Sequence, residues 1–455
     1  MKSRLLTILL ALTFCLEFCS CNTIEQDPDE GVEKVAVTLV YGDGKNGTQV
    51  VEVEKGKQTC EPSYIPVKTG YTFAGWCVDE AATVYFDFDN SIINEDMTLY
   101  AAYSRDIVLT DKGKVARVTG ATLSGESLPN PNNTHLRWNL GGTDLGIIWE
   151  MGNGEYGILF GDSYGSDFKP VGGGPGAASD WRSNVLAFSE NTDLDNGLKF
   201  KSMLVNKYRP DRALPVIERE NYFSFTYIPT AAVELNGKQY MHYMYWEVGN
   251  AIRADQNYSS IYCSEDYGQT WSSCRGKISF DTDSYFAMAG YAKKPGDEYC
   301  YMLGAQSGRG YRRSTAKLAR FKYDNILNKT EYEFWNGGKR EWIKGKESQA
   351  TTVLDGTVGE FSVMYLEEYS RFLVLYFDSE EYAICYRSAA RMQGPWSKER
   401  VLCSGRNSKY AQLYGSYIHP LSAKKGSSTI YWTMSQWQPY NVFLMKADVK
   451  YAPEY

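Results

Sequence analysis

Two aspartates bracket the stretch TDLGIIWEMGNGEYGILFGDSYG: Asp144 stands before one apolar run, and Asp162 follows another behind Gly161. Two carboxylates that converge on one pocket can serve as general acid and general base, or as acid and nucleophile, with neither metal nor cofactor. The competing reading is turn chemistry, because an Asp after Thr or before Ser commonly caps a turn and Gly161 can mark a bulge. LGIIWEM and YGILF are each of strand length, and NGEYG between them reads as a tight turn. As two arms of one hairpin they put the turn at the closed end and both acids at the open end, on the same side.

Further residues extend that pair. In WRSNVLAFS, Arg182 offers a guanidinium fork for a carboxylate or a sugar hydroxyl, preceded by VGGGPGAASD, a loop long enough to line a cleft. TVGEFSVMYLEEYSRFLVLYF places Glu360 immediately before an alternating strand as a candidate third acid, whereas Glu367 and Glu368 belong to a solvent-facing turn. QLYGSYIHPLS and YWTMSQWQPYNVFLMKADV gather aromatic and polar side chains near strand starts. Aromatic faces stack on sugar rings, so Tyr414, His419, Trp437 and Asn441 are candidates for carbohydrate recognition, with packing between sheets as the alternative.

Other chemistries lack their parts. The three histidines, at 135, 242 and 419, are too scattered to signal a metal site or a Ser-His-Asp triad. GGTDLG and VGGGPG lack the strand, loop and helix context of a phosphate cradle. A net charge of −7 argues against a nucleic-acid partner. No cofactor and no metal are expected.

The elements that position these residues are strands. The chain is rich in Tyr (36), Trp (11) and Gly (41), a mixture that favours strands, tight turns and aromatic-lined surfaces. Residues 1–20 read as a lipoprotein signal peptide: two basic side chains, an apolar run from Leu5 to Leu16 too short to span a membrane, and Ser20 before Cys21. Cys21 is the expected lipidated N-terminus, and the acidic NTIEQDPDEG makes residues 21–34 a solvated tether. Short alternating strands then define a compact module over 35–104. From 105 to 455 short strands recur with no long helical pattern, which predicts an all-β domain; at about 60 to 70 residues per four-stranded blade, it holds roughly five blades. YCSEDYGQTWS, with the weaker CYRSAARMQGPWS, reads as the Asp-box turn of sialidase-like propellers, so Asp266 caps a hairpin rather than doing chemistry. The seven cysteines after Cys21 fit no zinc spacing, and their odd number favours buried thiols over disulfides.

Two family resemblances follow from these stretches. GYTFAGWCVDEAATVYFDFDNSIINEDMTLYAAY resembles the Listeria–Bacteroides repeat, the B-repeat of internalin-like surface proteins, which implies a β-grasp-like spacer or stalk. The acidic segment after Cys21 resembles the export tag of outer-membrane lipoproteins in Bacteroides-like bacteria. TDLGIIWE...GEYGILFGDSYG, WRSNVLAFS, IPTAAVELNGKQYMHYMYW, VGEFSVMYLEEYSRFLVLYF and YGSYIHPLS...YWTMSQWQPYNVFLMK look like successive blocks of the domain-of-unknown-function family 4185, grouped as glycoside hydrolase family 183. That resemblance implies a five-bladed β-propeller endo-D-arabinanase cutting α-D-arabinofuranosyl linkages of mycobacterial arabinogalactan and lipoarabinomannan. Asp144 and Asp162 fall on the paired acids of its first block and Glu360 on the acid of its GE-[FL]-SV block. This chain has DSY where the family pattern has DT and an aromatic. The expected partner is a polysaccharide, D-arabinan; the expected protein is a monomer that meets the membrane only through its lipid anchor, at the cell surface. A non-catalytic glycan-binding lipoprotein and a sialidase-like enzyme are the alternatives. The second would need clustered arginines, which Arg182, Arg309, Arg312 and Arg313 do not form in sequence.

Overall fold

The computed structural model describes residues 32–169, 179–218, 225–247, 258–306 and 314–453. The leader, Cys21, the tether to residue 31, most of the glycine-rich loop, and Arg309, Arg312 and Arg313 lie outside them.

Alternating KVAVTLV and TQVVEVE form the hairpin Lys34–Val40 and Thr48–Glu54. Lys34–Val40 then pairs in parallel with Met97–Arg105, whose other edge takes Tyr71–Cys77 antiparallel. This order, with a parallel central pair, is β-grasp-like, but residues 55–70 cross over without a helix. Phe73 and Trp76 are buried core residues meeting edge to face at 5.6 Å. No sugar platform forms there.

Among the described residues, five antiparallel sheets of four to six strands follow, with a two-stranded ribbon of Val205–Asn206 and Arg209–Ala213 beside them. Their first strands are Leu145–Glu150, Phe225–Leu235, Met288–Lys293, Gly359–Leu366 and Leu413–Ile418. Each first strand packs on the next, and the last packs on the first, so the sheets radiate from one axis in an all-β fold of the propeller kind. The hydrophobic runs explain this: RFLVLYFD (371–378) is buried on both faces because a neighbouring sheet covers each. The last sheet joins both ends of the domain, with Ile107–Arg117 pairing along Asn441–Tyr451.

Four of the five first strands slip register against their second strands, at Leu145/Ile147, Pro229/Ala231, Gly359/Phe361 and Tyr414/Tyr417. A bulge bends its strand and re-aims the side chains beside it. Leu145 (φ +69°) and Glu360 (φ +37°) are left-handed there although neither is glycine. Such conformations cost on the order of 1–3 kcal/mol and persist only where the surroundings enforce them.

The repeat module is docked on this ring and does not stand off it as a free stalk. Glu61, whose side chain is 5% exposed, lies between Arg340 Nη2 and Arg391 Nη2, at 2.7 Å from each. The Arg340 contact is an ion pair whose angle departs from a hydrogen bond; Arg391 donates one, and its guanidinium also covers the Phe73 ring. Below it, fully buried Arg371 donates to the carbonyls of Ser104 and Arg105 and to Asp106 Oδ1. Burial outweighs that pairing on both sides: it raises the Asp106 carboxyl above its usual range and lowers Arg371 to about 10.

The two Asp-box-like turns join the third and fourth strands of the second and fourth sheets. Asp266 accepts from Thr270 N and Oγ1 and from Ser264 Oγ, and is fully engaged as a cap. In both turns the indole donates to a carbonyl just upstream: Trp271 to Gly268, Trp396 to Met392. Cys77, Cys274, Cys300, Cys385 and Cys403 are buried thiols.

Candidate active site

The first hairpin pairs Leu145–Glu150 with Tyr156–Phe160, Leu145 opposite Phe160, and closes through residues 151–155. Asp144 and Asp162 therefore flank its open end, where Gly161 N donates to Asp144 O at 3.1 Å. A Cβ on Gly161 would run into Asp144 Oδ1, so glycine is required for the two acid-bearing backbones to come this close.

Asp144 is 3% exposed and held from both sides. Thr143 N donates to Tyr440 O (2.8 Å) and Leu145 N to the buried Ser435 Oγ (2.9 Å), both from the last sheet. Tyr414 OH donates to Asp144 Oδ2 at 3.1 Å. Asp162 is half-buried, and Thr226 Oγ1, from the neighbouring sheet, donates to its Oδ1 at 2.8 Å. Each acid thus has a neutral hydroxyl donor from a different sheet. Thr143 Oγ1 and Ser163 Oγ, 2.8 Å apart, tie the two backbones together next to them.

The two acids share neighbours. The Tyr440 hydroxyl is held well above its ordinary range, by burial first and then by the charges of Asp144 and Asp162. Tyr164 is shifted the same way, by burial and then by Asp162 and Asp144. Their rings meet edge-on at 5.8 Å. Glu360, 6% exposed at its bulge, is the nearest acid on the other side: Gly415 has Glu360 Oε2 and Leu145 Cα within about 4 Å of where its Cβ would stand. Ser416 Oγ donates to Glu360 O at 3.2 Å.

Of the aromatic candidates, Trp437 is exposed and Tyr414 lies beneath it. Three others serve the framework instead. Arg182 is buried and donates Nη1 to Ala213 O and Nη2 to Asn139 O, so its fork is spent on backbone carbonyls rather than on a ligand. His419 sits at the opposite end of its strand from Tyr414, buried, accepting from Leu421 N as a helical cap, with burial pushing it down to about 3. Asn441 is buried between Thr119 Oγ1 and Pro439 O. Thr226 was not singled out from sequence as a site residue, whereas Tyr440 belongs to the aromatic stretch YWTMSQWQPYNVFLMKADV that was. Thr226 gives no local signal, since only the ring brings it to Asp162; Tyr164, two residues past Asp162 and beyond the strand that ends at Phe160, was not singled out either.

A cavity of about 410 Å³ opens at the other end of the first strands and is lined by Trp149, Glu234, Lys293, Tyr323 and Tyr365 among others. Size alone would favour it. Two of its three acids, however, pair with lysines, Glu234 with Lys293 at 2.8 Å and Glu150 with Lys424 at 3.5 Å. A small recess bordered by Leu145, Thr230, Glu360 and Phe361 lies between that cavity and the acids. The carboxylates Asp144, Asp162 and Glu360 gather at the opposite end of the first strands from this cavity.

Comparison with known proteins adds the following. The family model described as domain of unknown function (DUF4185) matches residues 129–446, and the Listeria–Bacteroides repeat model matches 38–102. The notoamide biosynthesis cluster protein J of Aspergillus sp. (strain MF297-2) is 27% identical over 319 residues, covering 66% of this chain and 81% of that protein. A membrane protein of Evansella cellulosilytica is 42% identical over 72 residues, 15% of this chain and 11% of its own. A solved structure of a Bacteroides ovatus protein assigned as a hydrolase covers 68% of this chain and 86% of its own, at 12% identity and TM-score 0.48.

Proposed function

The chain belongs to the DUF4185 family, and from that premise we propose that it is an endo-acting glycoside hydrolase that cuts α-D-arabinofuranosyl linkages in D-arabinan with Asp144 and Asp162. The observation that carries this reading is the pair itself: two carboxylates at one hairpin mouth, each with a neutral hydroxyl donor, both acting on the same two phenols. Two such groups supply what glycoside hydrolysis needs: one protonates the leaving oxygen while the other attacks the anomeric carbon or activates water. Tyr414 and Thr226 fix the orientation of their partners, which matters because proton transfer demands hydrogen-bond reach to the reacting oxygen. Glu360 is the assisting acid on the far side of Gly415.

In this reading residues 105–455 are a five-bladed propeller, residues 35–104 a repeat module, and Cys21 the lipid anchor of a surface-exposed monomer. The D-arabinan assignment draws on the blocks shared with glycoside hydrolase family 183. The test is to incubate the protein with D-arabinan, L-arabinan and sialylated glycans and to follow new reducing ends by chromatography. Asp144→Asn and Asp162→Asn should each abolish product from D-arabinan while circular dichroism stays unchanged. Near-wild-type product from either variant removes that residue from the mechanism, and saturable binding with no product from any glycan makes the protein a binding lipoprotein instead.

A further inference from the structure

We propose that the exposed indole of Trp437 is the floor of a subsite for an uncharged sugar ring next to the carboxylate pair, with Tyr414 beneath it as a positioning residue that links the subsite to Asp144. This inference rests on the reading of the hairpin mouth as a glycosidase site.

Trp437 opens the turn that joins the second and third strands of the last sheet. Its N donates to Gln412 O (2.9 Å), and its O accepts from Tyr440 N (3.2 Å), so the turn is fixed at both ends. Two rings brace the indole nearly at right angles, Tyr414 at 6.1 Å and Tyr440 at 5.8 Å. Those two tyrosines are 8% and 1% exposed, whereas Trp437 keeps 37% of its surface open. A large apolar side chain held rigid and left partly bare beside a reactive pair loses no conformational freedom when something stacks on it. Its negative π face suits the weakly positive C–H face of a sugar ring.

Charge selects among sugars. Asp144, Asp162 and Glu360 lie around this end of the axis, and a uronic or sialic acid would meet them as like charges. Lys114 on the neighbouring strand is hydrogen-bonded to Gln436 Oε1 and lies over the Phe443 ring. A neutral furanoside or pyranoside fits. The single side chain of Tyr414 then does two things: its ring supports the platform, and its hydroxyl holds Asp144 Oδ2 at 3.1 Å. A sugar unit on Trp437 is therefore one residue removed from the acid that works on its linkage.

The experiment separates the two roles. On arabino-oligosaccharides released from D-arabinan, Trp437→Ala should raise KM at least about tenfold with kcat within about threefold, and Trp437→Phe should recover most of that loss. Tyr414→Phe, which keeps the ring and deletes the hydroxyl, should leave KM near wild type and lower kcat by roughly 10- to 100-fold, the value of one hydrogen bond to a charged group. Calorimetric titration of Asp144→Asn with the same oligosaccharides should register binding that the added Trp437→Ala change weakens at least about tenfold, while oligogalacturonides do not bind. Equal binding with and without the indole overturns the subsite, even if D-arabinan is cut. Indole-dependent binding without cleavage of any glycan leaves the subsite standing and overturns the hydrolase reading.

Discussion

Glu61→Ala is the substitution that most directly measures how the repeat module is held. Glu61 stands between two guanidinium groups at 2.7 Å from each; the side chains of Glu61 and Arg340 are 5% exposed and that of Arg391 22%. Burial already lowers Arg340 below the ordinary arginine range, with Glu61 opposing it, so deleting the carboxylate strands a desolvated cation. Removing one partner of a buried pair costs about 3–5 kcal/mol. Arg391 can turn part of its charge to water and keeps its bond to Gly394 O (3.0 Å), which favours the lower figure, about 3 kcal/mol. With a factor of ten for every 1.4 kcal/mol or so, the module should open about 100-fold more often. Hydrogen exchange followed by mass spectrometry reads this locally. Amides of Lys34–Val40, Tyr71–Cys77 and Met97–Arg105 should exchange about 100-fold faster, with the ring strands unchanged. Removing both charges together in Glu61→Leu/Arg340→Leu should return part of the protection, because an apolar pair of similar volume can replace a buried ion pair. Module exchange within about threefold of wild type in Glu61→Ala would refute the argument.

Two further outcomes follow from the structure. Gly161→Ala, whose new methyl collides with Asp144 Oδ1, should reduce kcat on D-arabinan roughly 100-fold while circular dichroism stays unchanged; a kcat within twofold of wild type would contradict the close approach of the two backbones. His242 is fully buried between Tyr291 OH and Ala287 O, and burial lowers it from about 6.5 to about 4. Its neutral form is favoured in the fold, so its stabilisation is whole above pH 6.5 and is lost as pH falls toward 4, by roughly 3 kcal/mol. Urea midpoints at pH 7, 5.5 and 4.5 should fall less steeply for His242→Gln than for wild type, and equal slopes would refute this.

The hairpin was legible because its signals are local: two strand-length apolar runs and a glycine-containing turn between them. The Asp-box turn was legible for the same reason. What the sequence conceals is which distant strand supplies a partner. Thr226 reaches Asp162 and Tyr414 reaches Asp144 only because the ring closes. Arg182, His419 and Asn441 misled because a polar residue at the edge of a strand has two uses. It can face a ligand or satisfy a buried carbonyl, and composition does not separate them. The docking of the module was hidden likewise, since Glu61 and Arg391 are 330 positions apart.

Among the described residues, the strand Ile107–Arg117 finds its only ladder partner in Asn441–Tyr451, more than 300 positions further on. A nascent polypeptide therefore carries an unmatched edge from the emergence of Ile107–Arg117 until Asn441–Tyr451 has followed it. Assembly of the circle must wait for that late arrival, a long-range event that makes folding slow. Truncation before Asn441 would leave the circle unlatched, and the flanks of Asp144 would lose the seated Tyr440 carbonyl and Ser435 hydroxyl that anchor them.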